Sequence, residues 1–126
     1  MNLKLGHLEI FVKDPLKSKE FYIDVLGFEH VETQGNKAVW LKMGDGLILL
    51  RPGSNSHPSN TYQSANIAMV IYCDDAVKTL QTYKDRGLVI KGDDTGCPVF
   101  TDPEGNWFQL VNPAEHTPWA GEGSHR

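Results

Sequence analysis

Gly6-His7-Leu8-Glu9-Ile10-Phe11-Val12, followed almost at once by Asp14-Pro15, is the stretch on which the fold turns. Leu8, Ile10 and Val12 fall on one face of an extended chain and His7, Glu9 and Phe11 on the other, the two-residue period of a strand. Asp14 can cap the first amides of a helix, and Pro15 is preset for its opening turn. Phe21, Tyr22, Val25 and Leu26 then form one apolar stripe at helical spacing, and Gly27 offers the left-handed exit. The reading is strand, helix, stop.

Working outward, three β-like stretches follow: Phe28 to Thr33, Ala38 to Met43 and Leu47 to Arg51, split by the turn signals Gln34-Gly35-Asn36 and Gly44-Asp45-Gly46. The last two read as a hairpin. A Pro-, Gly-, Ser- and Asn-rich run from Pro52 to Asn60 breaks every period and reads as a linker or loop, with His57 in a position to cover a pocket. The pattern then restarts. Asn66 to Tyr72 predicts a strand, Asp74 and Asp75 offer caps, and Ala76, Val77, Leu80, Tyr83 and Lys84 carry a helical spacing to Gly87. Leu88-Val89-Ile90, Pro98 to Thr101 and Trp107 to Val111 predict three more short strands, with the turn Asp102-Pro103-Glu104-Gly105 before the last. His7 pairs with Asn66 at an offset of 59 and Gly27 with Gly87 at 60, which marks an internal duplication. The boundaries read as module one 3–52, linker 53–64, module two 65–113 and a tail 114–126 in which Trp119 is a candidate surface anchor.

With 126 residues, 40% hydrophobic and 22% charged, the chain suits one folded domain with a real core. Its net charge of -4 and scattered Lys and Arg leave no basic stripe, so neither nucleic acid nor membrane is an expected partner. The N-terminus lacks the apolar heart of a signal peptide, and a cytoplasmic location is the expectation. Cys73 and Cys97 make no CxxC and no zinc spacing, and both read as free bystander thiols.

These residues resemble the vicinal oxygen chelate superfamily, which includes glyoxalase I, extradiol dioxygenases, fosfomycin-resistance proteins and bleomycin-binding proteins. The carriers are His7-x4-Val12-x-Asp14 leading to Phe21-Tyr22-x4-Gly27-Phe28, then Asp75-Ala76-Val77 and Asp102-Pro103-Glu104-Gly105-Asn106. The resemblance implies an α+β fold of two tandem β-α-β-β-β modules curled into an open cup, commonly completed by a second copy, so a homodimer is expected. It also implies metal donors on the first and last strand of each module. His7 is a competent donor; Asn66 is a poor one, Gln109 stands where a Glu is expected, and Leu47 to Arg51 has neither carboxylate nor imidazole. Neutral amides bring no charge to hold a dication. No cofactor is therefore expected, with a divalent metal ion on His7 and Glu9 as the alternative.

The implied role is binding of a small polar or aromatic molecule. Candidate ligand contacts are Phe11, Trp40, Leu49, Arg51, Asn66, Tyr72, Trp107 and Gln109. The rival is an enzyme of the same superfamily: a metal-dependent lyase, isomerase or dioxygenase with atypical ligands, or a metal-free acid–base catalyst using His7 with a Glu9 raised in pKa. A third reading is an interaction module whose aromatic residues meet another protein. Bland alternatives stand beside each: His7 bonded to Asn66 or Gln109, Arg51 as a strand end or as the partner of Glu9, Phe11 and Trp107 as dimer contacts. Leu8, Ile10, Val12, Ile67, Met69, Ile71, Phe108 and Leu110 are assigned to the helix-facing core. His30, His116 and His125 fall outside any ligand spacing.

Overall fold

In the computed structural model the described residues are 1–53 and 58–116; the readings made for His57, Trp119 and His125 lie outside them. Two compact units divide the chain, Met1–Pro58 with Asp102–Gly105, and Ser59–Thr101 with Asn106–Arg126.

In the first unit the apolar alternation forms β1 (Leu8–Val12), and Asp14 accepts from the Lys17 amide at 3.1 Å to start α1 (Pro15–Glu20) with Pro15 in its first turn. The helix continues as a π-helical turn, Phe21–Val25, in which the Leu26 amide donates to the Phe21 carbonyl. β2 (Glu29–Gln34), β3 (Ala38–Met43) and β4 (Gly46–Pro52) complete a sheet of order β1-β4-β3-β2, with β1 parallel to β4 and the other pairs antiparallel. Ile10, Val12, Val39, Leu41, Ile48 and Leu50 are buried on one face of this sheet, and Tyr22 and Leu26 are buried beside them. The register sets Glu9 beside Leu49, Phe11 beside Arg51 and Trp40 beside Leu49, so these residues share the opposite face.

The second unit repeats the topology. β5 (Met69–Tyr72), α2 (Ala76–Asp85), β6 (Asp93–Asp94), β7 (Cys97–Thr101) and β8 (Trp107–Val111) form a sheet of order β5-β8-β7-β6, again with its outer strand β5 parallel to β8. Asp75 caps α2 as Asp14 caps α1. The two caps are 61 residues apart and the exit glycines Gly27 and Gly87, at φ 89° and 103°, are 60 apart; the π-helical turn absorbs the extra residue of the first helix. Two β-α-β-β-β modules are thus built from one duplicated plan.

Three local expectations are corrected. Leu88-Val89-Ile90 is not a strand: the Leu88 amide donates to the Tyr83 carbonyl and the Gly87 amide to Lys84, a Schellman closure that buries Leu88 against the helix end. Phe28 closes the first helix by a bond one residue longer, donating to the Tyr22 carbonyl, so β2 begins only at Glu29. Pairing in the second module resumes at Lys91, whose amide donates to the Val99 carbonyl. Finally, β5 begins at Met69, and Ile67, ahead of it, is 70% exposed instead of being in the core. An apolar residue outside the ladder has no sheet face to bury it.

Candidate functional site

The polar face of the first sheet carries a connected group of side chains. Glu9 Oε1 accepts from Arg51 Nη1 at 2.8 Å and Oε2 lies 2.9 Å from His7 Nε2. The Arg51 guanidinium also sits 5.8 Å from the centre of the Phe11 ring, and the His7 ring meets Trp40 edge-on at 4.7 Å. Trp40 Nε1 donates in turn to Gln34 Oε1 at 3.1 Å. Leu49 is buried beneath this group, between Glu9 and Trp40 in the register. Parity brings Arg51 to Glu9, because β1 and β4 are parallel and adjacent. The hydrogen bonds from Arg51, and next from His7, hold the Glu9 carboxyl below the usual glutamate range. The expectation of a raised Glu9 pKa is therefore corrected: the carboxylate is solvent-accessible and doubly bonded, so burial does not dominate.

The second sheet has a cleft of about 400 Å³ on the face that carries Gln109. Val70, Tyr72, Asp94, Thr95, Cys97, Gln109, Val111 and His116 line it. Gln109, buried at mid-strand, accepts from Tyr62 Oη at 3.2 Å and directs its amide nitrogen at the Asp94 carbonyl, 3.3 Å away, and at Asp94 Oδ2, 3.5 Å away. Burial, and then the Asp94 charge, raise the Tyr62 phenol. Burial raises the Cys97 thiol as well, with Asp93 and Asp94 adding to it, so Cys97 is a protonated wall of the cleft.

Of the residues singled out from sequence, the first unit gathers His7, Glu9, Phe11, Trp40, Leu49 and Arg51, and the second places Tyr72 and Gln109 on one cleft. Trp107 shares the Gln109 face but is buried, its Nε1 donating to the Ser59 carbonyl at 3.0 Å and its ring edge-on to Tyr62. Asn66 lies exposed ahead of β5. Asp94 and Thr95 were not singled out, while Cys97, read as a bystander thiol, and His116, read as outside any ligand spacing, also line the cleft. Cys97 was within reach, since two residues from Val99 on a strand means the same face; His116 follows the last strand, where no period applies.

Asp102-Pro103-Glu104-Gly105 belongs to the first unit. Asp102, 2% exposed, accepts from Tyr22 Oη at 2.7 Å, and Glu104 accepts from the Lys13 and Asp14 amides and from Ser18 Oγ. This motif ties itself to the junction of β1 and α1. It is structural.

The family model for the glyoxalase/bleomycin resistance protein/dioxygenase superfamily matches residues 4–110. The chain belongs to this superfamily. Among solved structures, this superfamily member resembles a point mutant of the fosfomycin resistance protein FosX of Listeria monocytogenes, complexed with Mn(II) and 1S,2S-dihydroxypropylphosphonic acid (20% identity, 87% of this chain and 90% of that one, TM-score 0.68). It also resembles a lactoylglutathione lyase of Agrobacterium tumefaciens (17%, 87% and 94%, 0.64) and TnmS3, an antibiotic binding protein of Streptomyces sp. CB03234 (24%, 90% and 98%, 0.68). No protein of curated function matches the chain. At these identities the likeness is one of fold.

Among the described residues no three His, Cys, Asp or Glu side chains gather closely enough to hold a metal ion. His7 Nε2 is turned to Glu9, and Gln109 is an uncharged amide with both ends bonded. No helix among the described residues is long and apolar enough to cross a membrane.

Proposed function

We propose that this member of the superfamily binds a small polar or aromatic molecule without a resident catalytic metal; the fold it shares serves the antibiotic binding protein TnmS3 as well as FosX, which is complexed with Mn(II). The observation that carries the reading is the cleft of about 400 Å³ on the Gln109 face, within the range of small-molecule sites and combining apolar walls with a few fixed polar groups. Its support on the metal is the donor set: one imidazole already bonded to a carboxylate, and an amide where a carboxylate is expected. Phe11, Trp40 and Arg51 form the second surface offered to a ligand. Homodimerisation and a cytoplasmic location belong to the same proposal, and sedimentation analysis tests the first.

Thermal shift against a panel of small aromatic and polar metabolites, with and without EDTA, tests the reading. The expected result is stabilisation by at least one compound, unchanged by chelator. Stoichiometric Mn, Ni, Zn or Fe in protein purified without chelator, lost in His7→Ala, overturns the metal-free reading.

A second reading rests on the 2.9 Å His7–Glu9 contact. A carboxylate held ionised beside an imidazole orients it as a proton acceptor. On this reading His7 is the catalytic group and Glu9 its positioning residue, and turnover abolished in His7→Gln with ligand binding retained is its mark.

A further inference from the structure

The two carboxylates on the polar faces differ in how they are neutralised. Glu9 has a guanidinium on one oxygen and an imidazole on the other. Asp94, on the wall of the cleft, has only neutral partners among the described residues: Gln63 Nε2 donates to Oδ1 at 3.2 Å, and Gln109 Nε2 approaches Oδ2 at 3.5 Å. A carboxylate has about four acceptor sites, so these two amides leave acceptor capacity unused. No ion pair to Asp94 exists among the described residues.

The rest of the lining sharpens the contrast. It includes no Lys or Arg, and its other polar groups are the Thr95 and Tyr72 hydroxyls, the Gln109 amide, the Cys97 thiol and the His116 imidazole. Asp93 and Glu115 add negative charge close enough to act on the Cys97 thiol. Val70, Val111 and the Tyr72 ring supply the apolar surface. A concave site whose lining carries a carboxylate and no Lys or Arg concentrates cations and repels anions.

We propose that the cleft selects an organic cation, an amine or amidinium on an aromatic or aliphatic body, with Asp94 accepting from the cationic head and Val70, Val111 and Tyr72 covering the body. This rests on the ligand-binding reading above and narrows it to a charge class. Thr95, held at φ 50° in the turn after Asp94, lines the same cleft, its hydroxyl donating to the Asp94 carbonyl at 2.7 Å.

The test uses the full chain and three near-isosteric probes, benzamidine (cation), benzamide (neutral) and benzoate (anion), titrated while backbone amide shifts are followed by NMR. Benzamidine is expected to shift the amides of Val70, Asp94, Thr95, Gln109 and Val111 and to bind about tenfold or more tightly than benzoate. In Asp94→Asn that preference should collapse toward unity, with amide dispersion showing that the variant is folded. Added salt should weaken benzamidine and leave benzamide unchanged, a readout that stands even if the variant does not fold. Benzoate or benzamide binding at these amides as tightly as benzamidine, or an Asp94→Asn variant with unaltered benzamidine affinity, overturns the cation assignment while leaving the ligand-binding reading in place. No shift at these amides with any of the three overturns both.

Discussion

The Arg51 guanidinium meets the Glu9 carboxylate at 2.8 Å across the parallel pairing of β1 and β4, and the same guanidinium covers the Phe11 ring. One residue thus neutralises the carboxylate and occupies the neighbouring aromatic face. Arg51→Ala should return the Glu9 pKa toward the ordinary glutamate value, read by NMR titration of its side-chain carboxyl. Because the folded pKa is lowered, the stabilisation is present above the unfolded pKa and is lost as pH falls through the folded one. The difference in Tm between wild type and variant should therefore shrink on acidification, and should be small throughout for so accessible a pair.

Tyr22→Phe removes the donor to a carboxylate that is 2% exposed. The expected cost is about 1–3 kcal/mol of unfolding free energy, measured by urea denaturation. The half-buried Thr33 hydroxyl, which is bonded to the neutral or protonated ring of His30 in an accessible pair, should cost less when removed by Thr33→Val.

Gly105 combines a φ of 95° with a position at which an added Cβ would stand 2.9 Å from Pro58 Cβ. Gly105→Ala should destabilise by more than about 1 kcal/mol, from backbone strain and from the clash together. A smaller loss would show that the turn shifts and that the Asp102–Glu104 tie does not depend on it.

Gln109→Glu replaces an amide that points its nitrogen at Asp94 with a second carboxylate. Like charges at that range raise the pKa of the new acid, so the penalty grows as pH rises from acid to neutral. The variant should lose about 1–3 kcal/mol at neutral pH and recover part of it in acid, followed by thermal melts across pH.

Much of this was legible along the chain. The caps Asp14 and Asp75, the exit glycines and the strand periods of β1, β3, β7 and β8 are local signals, and each formed where the residues say it should. Leu88 and Phe28 misled because an apolar residue after an exit glycine can begin a strand or close the helix, and those outcomes share one pattern. Glu9 misled in another way: parity located it, but its pKa depended on a guanidinium 42 residues away in sequence.

The duplicated β-α-β-β-β plan, β6 at Asp93–Asp94 excepted, was therefore determined by sequence alone, since caps, turns and alternation act over a few residues and need no knowledge of what packs against them. Tertiary structure alone decided the electrostatics. Arg51 on Glu9, Tyr22 on Asp102, and the Gln63 and Gln109 amides on Asp94 are pairings between distant segments, and burial and charge compensation are properties of the folded neighbourhood, not of the residue.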